Sequence, residues 1–299
     1  MYPFSQVSRV LARTIGLGWA LMALGLAPCL ARASEIRVQK NVVYGTVNGT
    51  KLLLDVYQPE AARGRRPGVV LVHGGGWMGG DKSYYEGIGQ ELARKGYVAF
   101  AINYRLAPLY HYPTQLDDVQ RAVRWIRAHA GEYNLDPNRI GALGDSAGGH
   151  LVAFLGMRDT RDNADSELAR YSSRVQCVVD LYGPTDFTLP ASSVLNPQAI
   201  QILTLFFGKT QDQAPALYRD GSPILYVSGR AAPFLILHGT ADTLVPIDQS
   251  QRLYNALRRA GVEATFVPME KDGHGFLRPQ NQQKAHALIE DFFARHLKP

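Results

Sequence analysis

A serine lies between two glycines in the segment GDSAG, a spacing typical of a residue that acts as a nucleophile. The segment covers residues 144–148, and Ser146 is its centre. RIGALGDS predicts a strand that ends here, and AGGHLVAFLGMRD predicts a helix that follows. A turn this tight needs almost no side chain two positions before and after the serine. The pattern therefore predicts that Ser146 projects above a sheet at a helix N-terminus. A serine in an ordinary loop is the alternative.

A serine hydroxyl needs a base that removes its proton before it attacks a carbonyl. In a strand–turn–helix arrangement of this kind, an acid and then a histidine follow the serine along the chain. His274 lies between two glycines in KDGHGF, just after the last predicted strand, so we predict that it is the base. Other histidines after the serine lie in predicted helices or at the end of the preceding strand: His150, His286, His296 and His238.

The acid that orients this base is expected at a strand end between Ser146 and His274. Asp242 fits best, since LHGTADTLVP places it shortly after the apolar strand FLIL. Asp186, in LYGPTDF one strand earlier, remains the alternative. Asp272 is too close to His274 along the chain to orient it easily, so we expect it to shape the loop.

Five of the seven residues from Gly74 to Gly80 are glycine, directly after the predicted strand PGVVLVHG. Glycine loses the most backbone freedom on folding, so such a run needs a reason. Attack on a carbonyl creates an oxyanion, which bare backbone N–H groups can stabilise. We predict that Gly75, Gly76 and Ala147 supply them, with a plain tight turn as the alternative. Three aromatic residues are candidates for substrate contact, or for packing: Trp77, Tyr104 and Tyr182.

The rest of the pattern predicts the elements that position these residues. Two alternating runs flank Asn48-Gly49, which is a strong signal for a hairpin. Strands and helices then take turns to the end of the chain, and Thr114 is expected to cap the second helix. A hairpin followed by alternating units predicts an α/β fold with a mostly parallel central sheet, an antiparallel N-terminal hairpin and helices on both faces. Ligands in such sheets bind at the carboxyl ends of the strands.

The first 33 residues resemble an export signal. Arg9 and Arg13 precede an apolar stretch of residues 15–30, and the A-x-A sequence at residues 31–33 is a typical cleavage site. We therefore predict a signal peptide over residues 1–33, a catalytic domain over residues 34–299, and a periplasmic or secreted protein. An uncleaved anchor and a lipoprotein modified at Cys29 are the alternatives.

Composition argues against several classes of protein. The chain has 299 residues, of which 46% are hydrophobic and 19% charged, a globular balance. Loss of residues 1–33 would remove three arginines and no acid, so the formal net charge would fall from +6 to +3. That charge is too small to favour nucleic acid. Cys177 would be the single remaining cysteine, so it is expected to pack in the core.

Four segments, HGGGW, GDSAGG, HGTADTLVP and DGHGF, resemble the hormone-sensitive-lipase branch of the α/β-hydrolases. HGGGWMGGDK and SPILYVSGRAAPFLILHGTAD are more similar still to bacterial esterases of the bifunctional feruloyl and acetyl xylan esterase type. The resemblance implies the α/β-hydrolase fold, a triad of Ser146, Asp242 and His274, and no cofactor or metal. Unlike lipase-like relatives, the chain leaves little or no room for an N-terminal cap. Residues 185–230, which include ILTLFFG, could cover the site in part.

Together these observations predict a serine carboxylic ester hydrolase that acts through an acyl-enzyme. Its substrate would be a small-molecule or polysaccharide-linked ester with a short acyl or aryl group, including acetyl or feruloyl esters. We expect no nucleic-acid partner and no stable membrane span after loss of the signal. An arylformamidase-type amidase is the main alternative; a serine peptidase and a non-catalytic binding module on the same fold are weaker ones.

Overall fold

The structure of the protein is a computed structural model that describes residues 35–60, 64–160, 165, 167–190 and 196–299. The predicted signal peptide, residues 1–33, and Cys29 lie outside the described residues. Within the described ranges, no helix combines the length and the apolar character that crossing a bilayer requires.

An antiparallel hairpin begins the described chain, as the Asn-Gly pair predicts. β1 (Ile36–Val47) and β2 (Thr50–Pro59) are joined by a two-residue turn. Asn48 and Gly49 have φ angles of 48° and 79°. Positive φ at both central residues matches the twist of paired strands, which explains why this dipeptide occurs here.

Six further strands complete an eight-stranded sheet with the order β1-β2-β4-β3-β5-β6-β7-β8. β2 pairs antiparallel with β4, and every pairing from β4 to β8 is parallel. The central strands are buried on both faces, which is why they are continuous apolar runs. This confirms the predicted fold class. The strands are β3 (Arg66–Val72), β4 (Val98–Ile102), β5 (Leu135–Asp145), β6 (Cys177–Leu181), β7 (Phe234–Gly239) and β8 (Ala264–Met269).

Helices cover both faces of this sheet. One apolar cluster joins α2, α3 and α6 to residues such as Val70 and Val72, and the other joins α1 and α7 to Val69 and Leu71. Alternate residues of β3 therefore pack against helices on opposite faces of the sheet. Cys177 is buried in the second cluster. The described helices are α1 (Glu86–Arg94), α2 (Thr114–Ala128), α3 (Ala147–Met157), α4 (Pro197–Phe207), α5 (Pro215–Asp220), α6 (Asp248–Arg259) and α7 (Pro279–Leu297).

The start of α2 differs from the expected cap. Thr114 is the first helical residue, and Pro113 occupies the N-cap position without a side-chain hydrogen bond. The expected cap is therefore wrong, because the helix begins one residue earlier than the pattern places it. Between β6 and β7 the chain carries α4 and α5, the longest departure from strand–helix alternation. Before β3, the described residues belong to the hairpin and to its short connections.

Candidate active site

Ser146 occupies a strained turn at the carboxyl end of the central strand. β5 ends at Asp145 and α3 begins at Ala147, so the serine is the single residue between them. Its φ and ψ are 52° and −117°, and a positive φ is uncommon for a residue with a side chain. The Ser146 amide donates to the Leu181 carbonyl on β6 at 2.8 Å, which anchors the turn.

The two glycines of this motif are required by the close approach of other backbone atoms. A Cβ atom at Gly148 would lie 2.0 Å from the carbonyl oxygen of Val72, and one at Gly144 would lie 2.4 Å from that of Gly148. Real Cβ atoms do not approach oxygen this closely. The spacing of the motif therefore has a steric cause in the packing of β5, α3 and β3.

A continuous series of hydrogen bonds joins three residues that are far apart in sequence. The Ser146 hydroxyl lies 2.8 Å from Nε2 of His274, and Nδ1 of the same imidazole lies 2.8 Å from Oδ2 of Asp242. His274 is 23% exposed, whereas the Asp242 carboxylate is fully buried. The Ser146 hydroxyl thus has a base within reach, and that base has a fixed acceptor behind it.

The Asp242 carboxylate is surrounded by donors. Oδ1 accepts the amides of Leu244 and Val245, both at 2.9 Å, and Oδ2 also lies 3.2 Å from Nε2 of His238. Burial by itself would raise the pKa of the carboxyl. Hydrogen bonds from both imidazoles, the charge of His274 and the Val245 amide hold that pKa well below its ordinary value. Asp242 is therefore ionised throughout the neutral range.

The alternative acid lies elsewhere. Asp186 pairs with Arg252, and its carboxylate accepts the amide and hydroxyl of Thr188 at 2.9 and 2.6 Å. Asp272 accepts the amide of Arg278 and the side chain of Asn281, so it ties the loop of His274 to the start of α7. Neither carboxylate contacts His274 among the described residues.

The glycine loop owes its composition to its backbone conformation. Gly75 and Gly76 have φ angles of 104° and 61°, and a Cβ atom at Gly75 would lie 2.4 Å from the Gly79 oxygen. The Gly75 carbonyl accepts the amides of Met78 and Gly79 at 3.1 and 3.0 Å, which closes the turn. Within the described part of the chain, the N–H groups of Gly75, Gly76 and Ala147 donate to no acceptor.

Side chains that the sequence analysis missed hold this loop against the serine turn. Oδ1 of Asp145 accepts the Gly74 amide at 3.0 Å and the Tyr85 hydroxyl at 2.7 Å. Lys82, two residues after Gly80, forms a buried ion pair with Asp55 on β2 at 3.1 Å. The position of Asp145 inside the motif was the available signal, whereas nothing local to Lys82 indicates its partner.

The three aromatic candidates lie in different surroundings. The Trp77 ring is buried and stacks on Phe206 at 4.1 Å, and its Nε1 donates to His150. Tyr104 is buried and donates to the His73 carbonyl at 2.9 Å. Tyr182 packs edge-on against the His274 ring at 4.9 Å and is half-buried. Of the three, Tyr182 alone touches a residue of the hydrogen-bonded series.

Helix α4 reaches the edge of the glycine loop. A Cβ atom at Gly76 would lie 3.3 Å from Cγ2 of Ile202, so this side chain is close to the backbone of that glycine. At the start of α4, the Asn196 side chain donates to the Thr243 carbonyl at 2.5 Å, beside Asp242. The helix therefore spans from the loop of the acid to the loop of the glycines. The described residues hold no group of three or more potential metal ligands.

Comparisons with known proteins match the chain to one sequence family and to proteins named as ester hydrolases. The sequence model of the BD-FAE family matches residues 54–257. The chain is 32% identical over 236 residues to LipM of Mycobacterium tuberculosis, whose name is probable carboxylic ester hydrolase; the match covers 77% of this chain and 54% of LipM. The chain thus spans just over half the length of that relative.

Two solved structures are similar over nearly their whole length. Esterase 2 of the planctomycete Thermogutta terrifontis, with butyrate bound, matches with a TM-score of 0.73 and 27% identity, covering 90% of this chain and 96% of that chain. A truncated carbohydrate esterase from gut microbiota matches with a TM-score of 0.76 and 30% identity, covering 90% and 99%.

Proposed function

The chain belongs to the BD-FAE family, and on that premise we propose that it is a serine carboxylic ester hydrolase. The observation that carries the proposal is the unbroken series of hydrogen bonds from the Asp242 carboxylate through His274 to the Ser146 hydroxyl. In this proposal Ser146 is the nucleophile, His274 the general base and Asp242 the acid that orients it.

The reaction proceeds in two acyl-transfer steps. Nε2 of His274 takes the hydroxyl proton as Ser146 Oγ forms a bond to the ester carbonyl carbon. The resulting oxyanion accepts hydrogen bonds from the amides of Gly75, Gly76 and Ala147, and it collapses as the alcohol leaves with the proton from His274. Water then repeats the sequence on the acyl-enzyme, which releases the acid and restores the serine.

The buried acid makes this proton transfer possible at neutral pH. Asp242 stays ionised because its pKa lies well below its ordinary value. Its negative charge stabilises the imidazolium that forms when His274 takes a proton, and its position fixes the tautomer that leaves Nε2 free to accept. This mechanism uses neither a metal ion nor an organic cofactor.

We propose a short-chain acyl or aryl ester as the substrate class, on a small molecule or a polysaccharide. Ile202 supports a short acyl group, since its side chain lies close to Gly76, where the carbonyl oxygen would be held. Butyrate is bound to the Thermogutta esterase, and the gut protein is a carbohydrate esterase, which favours this class by similarity. Trp77, Tyr104 and Tyr182 remain candidates for lining the site.

Export is a separate part of the proposal. The basic start, the apolar stretch and the A-x-A sequence support a signal peptide over residues 1–33. N-terminal sequencing of the protein from the periplasm or culture medium should then begin at Ser34. A product that retains residue 1 in a membrane fraction would favour the uncleaved anchor.

The main experiment combines covalent labelling with turnover of p-nitrophenyl acetate. Wild-type protein should react with a fluorophosphonate probe at one serine and hydrolyse the ester. Ser146→Ala should lose labelling and about 10⁶-fold in kcat. Ser228→Ala, at an exposed serine, is the matched control and should behave as wild type. Labelling of Ser146→Ala at the wild-type level, or a wild-type protein without turnover, would contradict the proposal.

A further inference from the structure

Two histidines share one oxygen of the Asp242 carboxylate. Oδ2 lies 2.8 Å from Nδ1 of His274 and 3.2 Å from Nε2 of His238. Each histidine has a serine on its other nitrogen, at 2.8 Å for Ser146 and 2.7 Å for Ser250. The buried carboxylate therefore stands between two serine–histidine pairs, one at the reacting serine and one inside the protein.

The inner pair, His238 and Ser250, has a defined arrangement of protons. Nε2 of His238 lies 2.9 Å from the Val245 carbonyl, which can only accept, so this nitrogen must carry a hydrogen. The same nitrogen lies 3.2 Å from Oδ2 of Asp242. In the neutral ring Nδ1 is then an acceptor, and the Ser250 hydroxyl on α6 donates to it. The His238 side chain is fully buried.

The outer pair, Ser146 and His274, is held less firmly than the inner pair. His274 is partly exposed and lies on a loop between Gly273 and Gly275, and the second of these has a φ of 105°. If only Oδ1 were held, the Asp242 carboxylate could still rotate and Oδ2 would change its position. The two backbone amides fix Oδ1 of Asp242, and His238 supplies the remaining fixed donor at Oδ2.

We propose that His238, held by Ser250, is a positioning residue that sets where Oδ2 of Asp242 meets His274. The inference rests on the proposed ester hydrolysis, because it concerns the acid of that same triad. His238 touches neither substrate nor the reacting serine. We expect its effect on turnover to pass through Asp242, which distinguishes it from a residue that merely fills space at the end of β7, and from one that acts through Tyr182, whose ring packs against both histidines.

A double-mutant cycle tests this route. His238→Leu removes the donor at similar volume, and we expect kcat for p-nitrophenyl acetate to fall about 10- to 100-fold, with KM within about twofold of wild type. His238→Gln retains a donor near the Nε2 position and should recover most of that loss. In an Asp242→Asn background, His238→Leu should cause little further loss, since the partner of His238 is already altered. His286→Leu, at an exposed histidine on α7, is the matched control.

Ser250→Ala provides a second variant that leaves the imidazole in place, so a fold defect in His238→Leu does not decide the result. We expect a smaller fall in kcat, about three- to tenfold, that likewise disappears in the Asp242→Asn background. Two results would overturn this inference but leave the proposed function intact. In the first, the fold losses in kcat of His238→Leu or Ser250→Ala multiply with that of Asp242→Asn. In the second, both single variants keep a kcat within twofold of wild type. A wild-type protein without esterase activity would overturn the proposed function, and the inference with it.

Discussion

The loop after β3 and the loop after β7 both leave the carboxyl ends of parallel strands, but they hold their functional groups differently. The glycine loop presents backbone amides, so its requirements are conformational. Gly75 and Gly76 have positive φ angles, and the Gly79 backbone approaches Gly75 too closely for a side chain. The acid loop presents one carboxylate, so its requirements are chemical: burial of the Asp242 side chain and four nitrogen atoms within 3.2 Å of its oxygens. The composition of the glycine loop shows the first requirement. The second is met by two amides of the acid loop, by His238 at the end of β7 and by His274 after β8.

Replacement of the acid should have the largest effect in this comparison. Asp242→Asn preserves the size of the side chain but removes the charge and favours the wrong tautomer of His274. We expect kcat for p-nitrophenyl acetate to fall about 10⁴-fold. Asp186→Asn tests the alternative acid and should remain within severalfold of wild type, measured in the same assay. The reverse ranking of the two variants would assign the role to Asp186.

A side chain in the glycine loop should have the next largest effect. Gly75→Ala places a Cβ atom 2.4 Å from the Gly79 oxygen at a φ of 104°, so the loop must shift and its amides must turn. We expect kcat to fall about 10²- to 10³-fold, the cost of a lost oxyanion donor. Gly87→Ala, in α1 with open space around it, should be neutral. Wild-type kcat in Gly75→Ala would show that this amide does not contribute.

Lowering the pH should also affect the two loops differently. Burial lowers the pKa of His150 from 6.5 to about 4, although its hydrogen bond to the Gly221 carbonyl opposes this. Its ring accepts from Trp77 of the glycine loop. As pH falls from 6.5 towards 4, the unfolded chain binds a proton that the folded chain does not. The contribution of His150 to stability, fully present above pH 6.5, is therefore lost in this window, and it amounts to about 3 kcal/mol.

Thermal unfolding between pH 7 and pH 4 measures this loss. His150→Gln keeps a donor but cannot titrate, so its Tm should fall less steeply with acid than that of wild type. Asp242→Asn should keep the wild-type slope, because the lowered pKa of Asp242 confines its own contribution to pH values below that window. Equal slopes for wild type and His150→Gln would mean that His150 does not titrate across this range.

The smallest expected effect concerns the acyl group. Ile202→Ala removes three methyl or methylene groups beside Gly76, which enlarges the space for an acyl chain. We expect the ratio of kcat/KM for p-nitrophenyl octanoate to that for acetate to rise severalfold. Ile200→Ala, on the same helix, is the control and should leave the ratio unchanged. An unchanged ratio in Ile202→Ala would place the acyl group elsewhere.

Local patterns predicted much of this molecule because they reflect local physics. The Asn48-Gly49 turn, the buried strands and the amphipathic helices follow from backbone sterics and apolar periodicity, and all are present. The expected cap at Thr114 is wrong, since the choice of N-cap depends on how the preceding loop enters the helix. Likewise, His238 was recognised as a strand-end histidine, but its contact with Asp242 was not.

The sequence by itself predicted the layered α/β fold, the tight serine turn and the proposed order of serine, acid and histidine along the chain. The fold class and the turn depend on interactions between residues within a few positions of one another. Only the tertiary structure brings Asp242, and not Asp186, to His274, and it alone joins Asp145 to Gly74, Lys82 to Asp55 and Ser250 to His238. These contacts depend on which strands lie side by side and on how closely the elements pack. The spacing of residues along the sequence carries no information about either.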